Sequence, residues 1–232
     1  MRSRLPALLS TVPLIAVLIV SYVLLNGKVD YQPIFLNGKF QYWTRDVKQG
    51  DTKPYCWQID RFQSANDVIA IYPTEVQGRK CLGVELYQDG KDNANPWVSV
   101  HIRQEVRGQA LRSLFSSKVG IWIYANFSYA FDRSSMRPKN AFGLEVNDGK
   151  YMIWFIFSDG EEMNYTLPNH RIVVQRTPIA EWSYHEVDIA SEYRKLTDKQ
   201  PDSISVMLLM GLSKDLPGKA QGYFASIVAV EK

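Results

Sequence analysis

Three acidic side chains in the last quarter of the chain have the residue types that hydrolysis of a glycosidic bond requires. Val187 alone separates Glu186 from Asp188, and Glu192 lies beyond them. Alternate positions of a strand share one face, and retaining glycosidases need two carboxyl groups about 5 to 5.5 Å apart. Glu192 comes later than a simple alternating pattern would place it. We expect the acids to be solvated groups on a surface strand, with a divergent glycoside hydrolase as the lesser alternative.

Other catalytic arrangements are missing from the sequence. His101, His170 and His185 are scattered without the spacing of a zinc site. No nucleophile elbow, phosphate-binding loop or dinucleotide-binding fingerprint is present. The sequence therefore predicts a protein that is not an enzyme and that uses no cofactor.

The N-terminal segment predicts a membrane anchor. Residues 5–25 contain no charged side chain, and Arg2 and Arg4 precede them. About 20 apolar residues span the roughly 30 Å core of a bilayer. Residues 22–25 are unlike the small-residue site of a cleaved signal peptide, which is the alternative. Because basic residues stay in the cytoplasm, we expect a single-pass cell-membrane protein with a transmembrane anchor at residues 1–27 and an extracytoplasmic domain at 28–232.

Two further features are typical of an exported domain. Cys56 and Cys81 are the only cysteines, and a pair of cysteines in such a domain predicts a disulfide more often than a metal site. Two buried free thiols are the alternative. Asn126 and Asn164 begin Asn-x-Ser/Thr triplets that could accept N-glycans.

Composition and pattern favour one all-β domain. Aromatic residues make up 12% of the chain, and the net charge of +3 gives no reason to expect a nucleic-acid partner. Asn147, Asp148 and Gly149 predict a hairpin turn. We predict a short helix at 191–196 and an antiparallel two-sheet β-sandwich, most simply a jelly roll. Its strands are expected at 80–87, 97–106, 119–127, 141–146, 151–157, 171–175, 184–189, 204–211 and 222–230.

The order of several segments resembles the jelly-roll carbohydrate-binding modules of the galactose-binding-like superfold. The segments that carry the resemblance are residues 36–43 (LNGKFQYW) with Pro54 and Trp57, residues 78–82 (GRKCL), Gln104 with Val106, residues 181–188 (EWSYHEVD), and residues 222–230 (GYFASIVAV). Such modules often hold calcium through acids in the opening stretch and the closing strand. Here Lys39, Gln41, Ala225 and Ser226 stand at those positions, so no metal site is predicted.

The resemblance implies sugar binding through aromatic rings flanked by amides. Trp97 with Asn93 and Asn95, and Trp154 with Tyr151, are the candidate ligand-binding residues. Packing in the core or in an interface is the alternative for Trp97 and Trp154. The remaining tryptophans are expected to pack in the core; they are Trp43, Trp57, Trp122 and Trp182.

Two functional hypotheses follow. The first is a membrane-anchored domain that binds a glycan or polysaccharide without cleaving it. The second is an accessory or structural subunit of a membrane or cell-envelope protein complex, which would use the same sandwich surface to bind protein partners.

Overall fold

Regularly alternating apolar residues form long strands in this chain. The computed structural model describes residues 34–46, 52–90, 97–128, 130–132 and 137–232. In chain order the elements are β1 (Trp43–Arg45), β2 (Thr52–Pro54), β3 (Gln58–Phe62), β4 (Val68–Val76), β5 (Arg79–Gln88), β6 (Trp97–Arg107), α1 (Gly108–Ser116), β7 (Ser117–Ala125), β8 (Phe131–Asp132), β9 (Arg137–Pro138), β10 (Asn140–Asn147), β11 (Met152–Ser158), β12 (Met163–Leu167), β13 (His170–Arg176), β14 (Ser183–Val187), α2 (Ile189–Arg194), β15 (Ser203–Ser213) and β16 (Gly218–Glu231).

Two large sheets form a β-sandwich. The larger has seven strands in the order β12-β13-β11-β10-β15-β6-β3, and the smaller has five in the order β14-β7-β16-β5-β4. Two short ribbons, β1-β2 and β8-β9, accompany them. The predicted β-sandwich is thus confirmed. One pairing differs from the antiparallel prediction, because β11 and β13 run parallel.

The core lies between the two sheets and is built from alternate residues of each strand. Every second side chain of β10 faces inward, and the same holds along β15 and β7. The inward residues of these three strands are Phe142, Leu144, Val146, Ile204, Val206, Leu208, Met210, Leu212, Val119, Ile121 and Ile123. The remaining side chains of these strands must therefore face outward.

Both helices pack on the core beside the strands they connect. The helix α1, which the sequence did not predict, joins β6 of one sheet to β7 of the other and buries Leu111 and Leu114. Its Phe115 contacts Tyr193 of α2 edge to face, with ring centroids 5.7 Å apart. The helix α2 overlaps the predicted short helix and begins where the Asp188 side chain accepts a hydrogen bond from the Ser191 N–H at 2.9 Å.

Two of the four tryptophans expected in the core lie elsewhere. Trp57 is fully buried and Trp43 packs against the core from its edge. Trp122 and Trp182 instead pack with Cys81 and Tyr223 in a separate cluster on the outer face of the five-stranded sheet. The prediction was wrong for this second pair, since Ile121 and Ile123 are the inward residues around Trp122.

The predicted disulfide is not formed. Cys56 is an exposed free thiol in the turn before β3, and Cys81 is a buried free thiol on β5. The Cys81 side chain faces outward from the five-stranded sheet, where its sulfur lies 3.7 Å from the Thr74 carbonyl oxygen. The turn with Cys56 leads into the other sheet, so the two sulfur atoms do not face each other.

The segment predicted as a membrane anchor lies outside the described residues. Among the residues that the structure describes, no helix is long and apolar enough to cross a membrane.

Thiol labelling tests the cysteine assignment. Without reductant, the native protein should react at Cys56 alone, because burial raises the pKa of Cys81 to about 11 and shields its sulfur. The second thiol should react only in denaturant. The measurement is a thiol count with Ellman's reagent before and after unfolding, with Cys56→Ser as the control. A chain without reactive thiols in denaturant would instead contain the disulfide.

Candidate functional site

Polar and aromatic side chains meet on the outer face of the seven-stranded sheet. Glu145 on β10 is paired with Trp154 on β11 and with Met207 on β15. Met207 is in turn paired with Arg103 on β6. Directly paired residues on one face of a sheet have neighbouring side chains. These four strands therefore present one continuous row of side chains to the outside of the sandwich.

Glu145 is the central charged residue of this row. It is only 3% exposed, yet it lies outside the core between the sheets. Its Oε2 accepts a hydrogen bond from Trp154 Nε1 at 3.0 Å, and its Oε1 accepts one from Asn147 Nδ2 at 3.2 Å. His101 Nδ1 lies 3.9 Å from Oε2. A buried carboxylate is tolerated only when its oxygens are hydrogen-bonded, so Glu145 fixes the orientation of the indole.

The Trp154 ring is half-buried and held on two sides. His170 contacts it edge to face, with ring centroids 4.8 Å apart. Trp154, Met163 and Tyr165 pack on a small apolar cluster on the outer side of the sheet. The members of that cluster are Ala141, Ile156, Ile172, Val174 and Leu209. The indole is thereby preorganised as a rigid, partly exposed aromatic surface.

Tyr165 adds a polar group to the same side of the sheet. Its hydroxyl oxygen is buried and has no hydrogen-bond partner among the described residues. Burial raises the pKa of Tyr165 to about 12, so the hydroxyl keeps its proton at neutral pH. Because the hydroxyl oxygen is buried, Tyr165 contributes to the packing beneath the Trp154 ring and not to the exposed surface.

Two grooves flank the turn that joins β10 to β11. The larger has a volume of about 570 Å³ and is lined by Lys150, Tyr151, Asn169 and His170, among others. The smaller, of about 330 Å³, is lined on its far side by residues of β6 and β15, including Arg103, Glu105, Ser205 and Met207. Asn147 and Gly149 line both grooves. The turn is thus a ridge between two grooves. Both adjoin the row formed by Trp154, Glu145, Met207 and Arg103, which we call the Glu145 row.

Asp148 stabilises this ridge. Burial acts to raise the pKa of Asp148, but hydrogen bonds from the Tyr151 N–H, the Tyr193 hydroxyl and the Lys150 N–H outweigh it and hold the pKa below its ordinary value. A folded-state pKa below that of the unfolded chain, about 3.9 for Asp, stabilises the fold at higher pH. That contribution is lost as the pH falls through the lowered folded value, so the ridge is stable at neutral pH.

The predicted ligand-binding residues are not all brought together. Trp154 lies on the site, whereas Tyr151 packs toward the core and α2 and contributes to a groove wall. Trp97 lies over Gly211 on the same outer face, but it is far from Trp154. The two residues are separated by six residues along the strand direction, roughly 20 Å, and by three strands across the sheet, roughly 14 Å. Asn93 and Asn95 lie outside the described residues, and their role stays a prediction.

The acids considered for glycoside hydrolysis each have a local partner. Glu186 lies on the outer face of the five-stranded sheet, 3.1 Å from Lys118 Nζ. Asp188 caps α2 and pairs with Lys232 at 2.9 Å, and Glu192 pairs with Arg171 at 2.8 Å. Since β14 ends at Val187, Glu186 and Asp188 do not continue along one strand face.

Sequence reasoning missed Glu145. The available signal was one acidic residue inside the apolar run of residues 141–146, next to the aromatic strand that carries Trp154. Among the described residues, no group of three His, Cys, Asp or Glu side chains is arranged to hold a metal ion. Asn126 and Asn164 are both exposed, and their glycosylation stays a prediction.

Substitution of Glu145 tests its role in the site. Glu145→Ala removes the acceptor for Trp154 Nε1 and should lower the free energy of unfolding by about 1–3 kcal/mol. Glu145→Gln retains an acceptor and should cost less. Glu105→Ala, an exposed acid on the same outer face, is the matched control and should change stability by less than about 0.5 kcal/mol. Equal urea midpoints for the two alanine variants would contradict this role.

No protein-family model and no curated protein matches the chain. Solved structures with a similar fold include carbohydrate-binding modules of the β-sandwich superfamily, at 11% identity and a TM-score of 0.43 over 76% of this chain and 57% of that chain. A family 11 carbohydrate-binding module from Clostridium thermocellum, in complex with a β-1,3-1,4-mixed-linked tetrasaccharide, is similar at 10% identity and a TM-score of 0.40, over 82% of this chain and 94% of that one.

Enzymes are also among the structural neighbours. The xyloglucanase domain of NopAA, a type three effector from Sinorhizobium fredii, is similar at 14% identity and a TM-score of 0.44, over 76% of this chain and 93% of that one. A fold does not determine function, so function has to be argued from the site itself.

Proposed function

We propose that the protein binds a neutral glycan on the outer face of the seven-stranded sheet and does not cleave it. The observation that carries this proposal is the partly exposed Trp154 ring, which the buried Glu145 carboxylate holds in one orientation. An immobilised aromatic face can pack against the C–H face of a pyranose without a further cost of ordering the side chain.

The surroundings of Trp154 supply the polar contacts that sugar hydroxyls need. Asn147, Asn169 and His170 line the larger groove. A few polar groups around an apolar surface are typical of small-molecule sites. The grooves are open on the surface and extend to both sides of the turn, which suits an extended chain of sugars.

The charges on this face favour a neutral ligand and a binding role. Arg103 is paired with Asp60 at 2.7 Å, and the oxygens of Glu145 are occupied by Trp154 and Asn147. Hydrolysis with retention would need a second carboxyl group about 5 to 5.5 Å from the first. The groups in contact with Glu145 are an indole, an amide and an imidazole, and this set supports orientation of the ring.

Affinity electrophoresis in gels containing xyloglucan or β-1,3-1,4-glucan tests the proposal. The wild-type chain should be retarded, and Trp154→Ala should be retarded less, because loss of the ring is expected to cost about 1.4 kcal/mol at this face, or about tenfold in affinity. Tyr42→Ala, which removes a 66% exposed ring elsewhere, is the control and should behave as wild type. A Trp154→Ala variant retarded as strongly as wild type would contradict the assignment.

We also propose that residues 1–27 anchor the protein in the cell membrane with the sandwich on the extracytoplasmic side. The support is in the sequence, where residues 5–25 carry no charge and follow Arg2 and Arg4. An aromatic binding surface on that side would meet extracellular polysaccharide.

Membrane extraction tests the anchor. The full chain should stay in the membrane fraction at alkaline pH, whereas a chain without residues 1–27 should be released. Protease added to intact cells should degrade the sandwich domain. Release of the full chain by alkali would contradict the anchor, and protection from protease would contradict the orientation.

A further inference from the structure

The outer face of the five-stranded sheet carries an aromatic ladder that crosses the sheet. We use this name for Tyr184, Trp182, Trp122, Tyr124, Tyr223 and Tyr72, which lie on or beside strands β14, β7, β16 and β4. Tyr184 is 40% exposed, and Trp122, Tyr124, Trp182 and Tyr72 are half-buried. This face points away from the Glu145 row, because the core lies between the two sheets.

Ring contacts link five of the six ladder residues in two groups. The centroids of Tyr184 and Trp122 are 5.3 Å apart. Tyr124 contacts both Trp182 and Tyr223 edge to face, at 5.6 Å in each case. The Arg79 guanidinium lies 3.8 Å from the Trp122 centroid and 5.9 Å from that of Trp182, and joins the two halves by cation–π contact.

Glycines hold the two end members of the ladder close to the sheet. A Cβ atom at Gly120 would collide with the Tyr184 hydroxyl, and one at Gly83 would lie 2.7 Å from the Tyr72 ring. Each glycine therefore makes room for an aromatic ring that lies across the neighbouring strand. The rings are seated before any ligand arrives, so binding need not order them.

Polar groups accompany the Tyr72 end of the ladder. Gln221 Nε2 donates to the Tyr72 hydroxyl at 2.9 Å and lies 3.3 Å from Glu85 Oε2. Glu85 is also paired with Lys219 at 2.8 Å, and at the other end Lys118 is paired with Glu186 at 3.1 Å. Amide, carboxylate and hydroxyl groups thus border the rings, both lysines are paired with acids, and the Arg79 cation is held against the Trp122 and Trp182 rings. A surface of this kind favours a polar, uncharged ligand with apolar C–H faces.

We propose that the aromatic ladder is a second glycan-binding surface that takes a neutral polysaccharide chain. The ligand class rests on the proposed function, whereas the surface is a separate one built from different residues. Because the two surfaces lie on opposite sides of the sandwich, one molecule would bind two chains at once and link them.

Calorimetric stoichiometry of the full chain with a xyloglucan oligosaccharide tests this proposal. The wild type should bind two oligosaccharides, and Tyr184→Ala combined with Trp122→Ala should bind one. Trp154→Ala should also bind one, and the combination of all three substitutions none. Tyr87→Ala removes a 44% exposed ring from the same outer face but outside the ladder, and should leave two sites. Trp122→Phe keeps an aromatic ring and should retain the second site, and thermal unfolding checks that each variant is folded.

The outcomes separate the two proposals. The wild type could bind one oligosaccharide at a site that Trp154→Ala removes and the ladder variants leave intact. This result would overturn the second surface and support the first. If the wild type has one site and only the ladder variants remove it, the ladder is supported as a binding surface and the Trp154 site is overturned. Absence of binding heat in the wild type overturns both. A concentration-dependent dimer that Tyr184→Ala dissociates, with one site lost in Trp154→Ala, would make the ladder an interface between copies and overturn the proposal.

Discussion

Alternation of side chains along paired strands is the constraint on which the rest of this structure depends. The inner faces of both sheets must be apolar to exclude water from the space between them. Once Phe142, Leu144 and Val146 point inward, Glu145 must point outward. A register slip of one residue would reverse every side chain of β10 and place the carboxylate between the sheets. The outward positions of Glu145 and Trp154 are thus consequences of the packing of the core.

The two outer faces use different means to hold aromatic rings in place. On the seven-stranded sheet, the Glu145 carboxylate is withdrawn from water and hydrogen-bonds the Trp154 indole. Burial of a charge costs several kcal/mol unless such bonds compensate it. The buried carboxylate therefore favours the one orientation of the indole in which this hydrogen bond is made. On the five-stranded sheet, among the residues that the structure describes, no buried charge is used. The rings are held in place by close packing against Gly83 and Gly120, by edge-to-face contacts and by Arg79.

The sequence reveals the strands better than it reveals their faces. All nine predicted strands have a counterpart, namely β5, β6, β7, β10, β11, β13, β14, β15 and β16, because each is a short apolar run bounded by turn residues. In residues 119–125, however, both faces are apolar or aromatic, so no period of two shows that Trp122 points outward. The parallel β11–β13 pairing and the separation of Cys56 from Cys81 both depend on which strands become neighbours. The choice of neighbouring strands is set by long-range packing, which local sequence patterns do not contain.

We propose that this sandwich acts by binding a glycan on preorganised rings and not by catalysis with acidic groups. NMR of the tryptophan indole N–H groups tests this most directly, since the chain has six tryptophans and Trp154→Phe identifies the resonance of Trp154. On titration with a xyloglucan oligosaccharide, the Trp154 resonance should move, while that of the buried Trp57 should not. A Trp154 resonance that stays in place while the oligosaccharide binds would contradict the account.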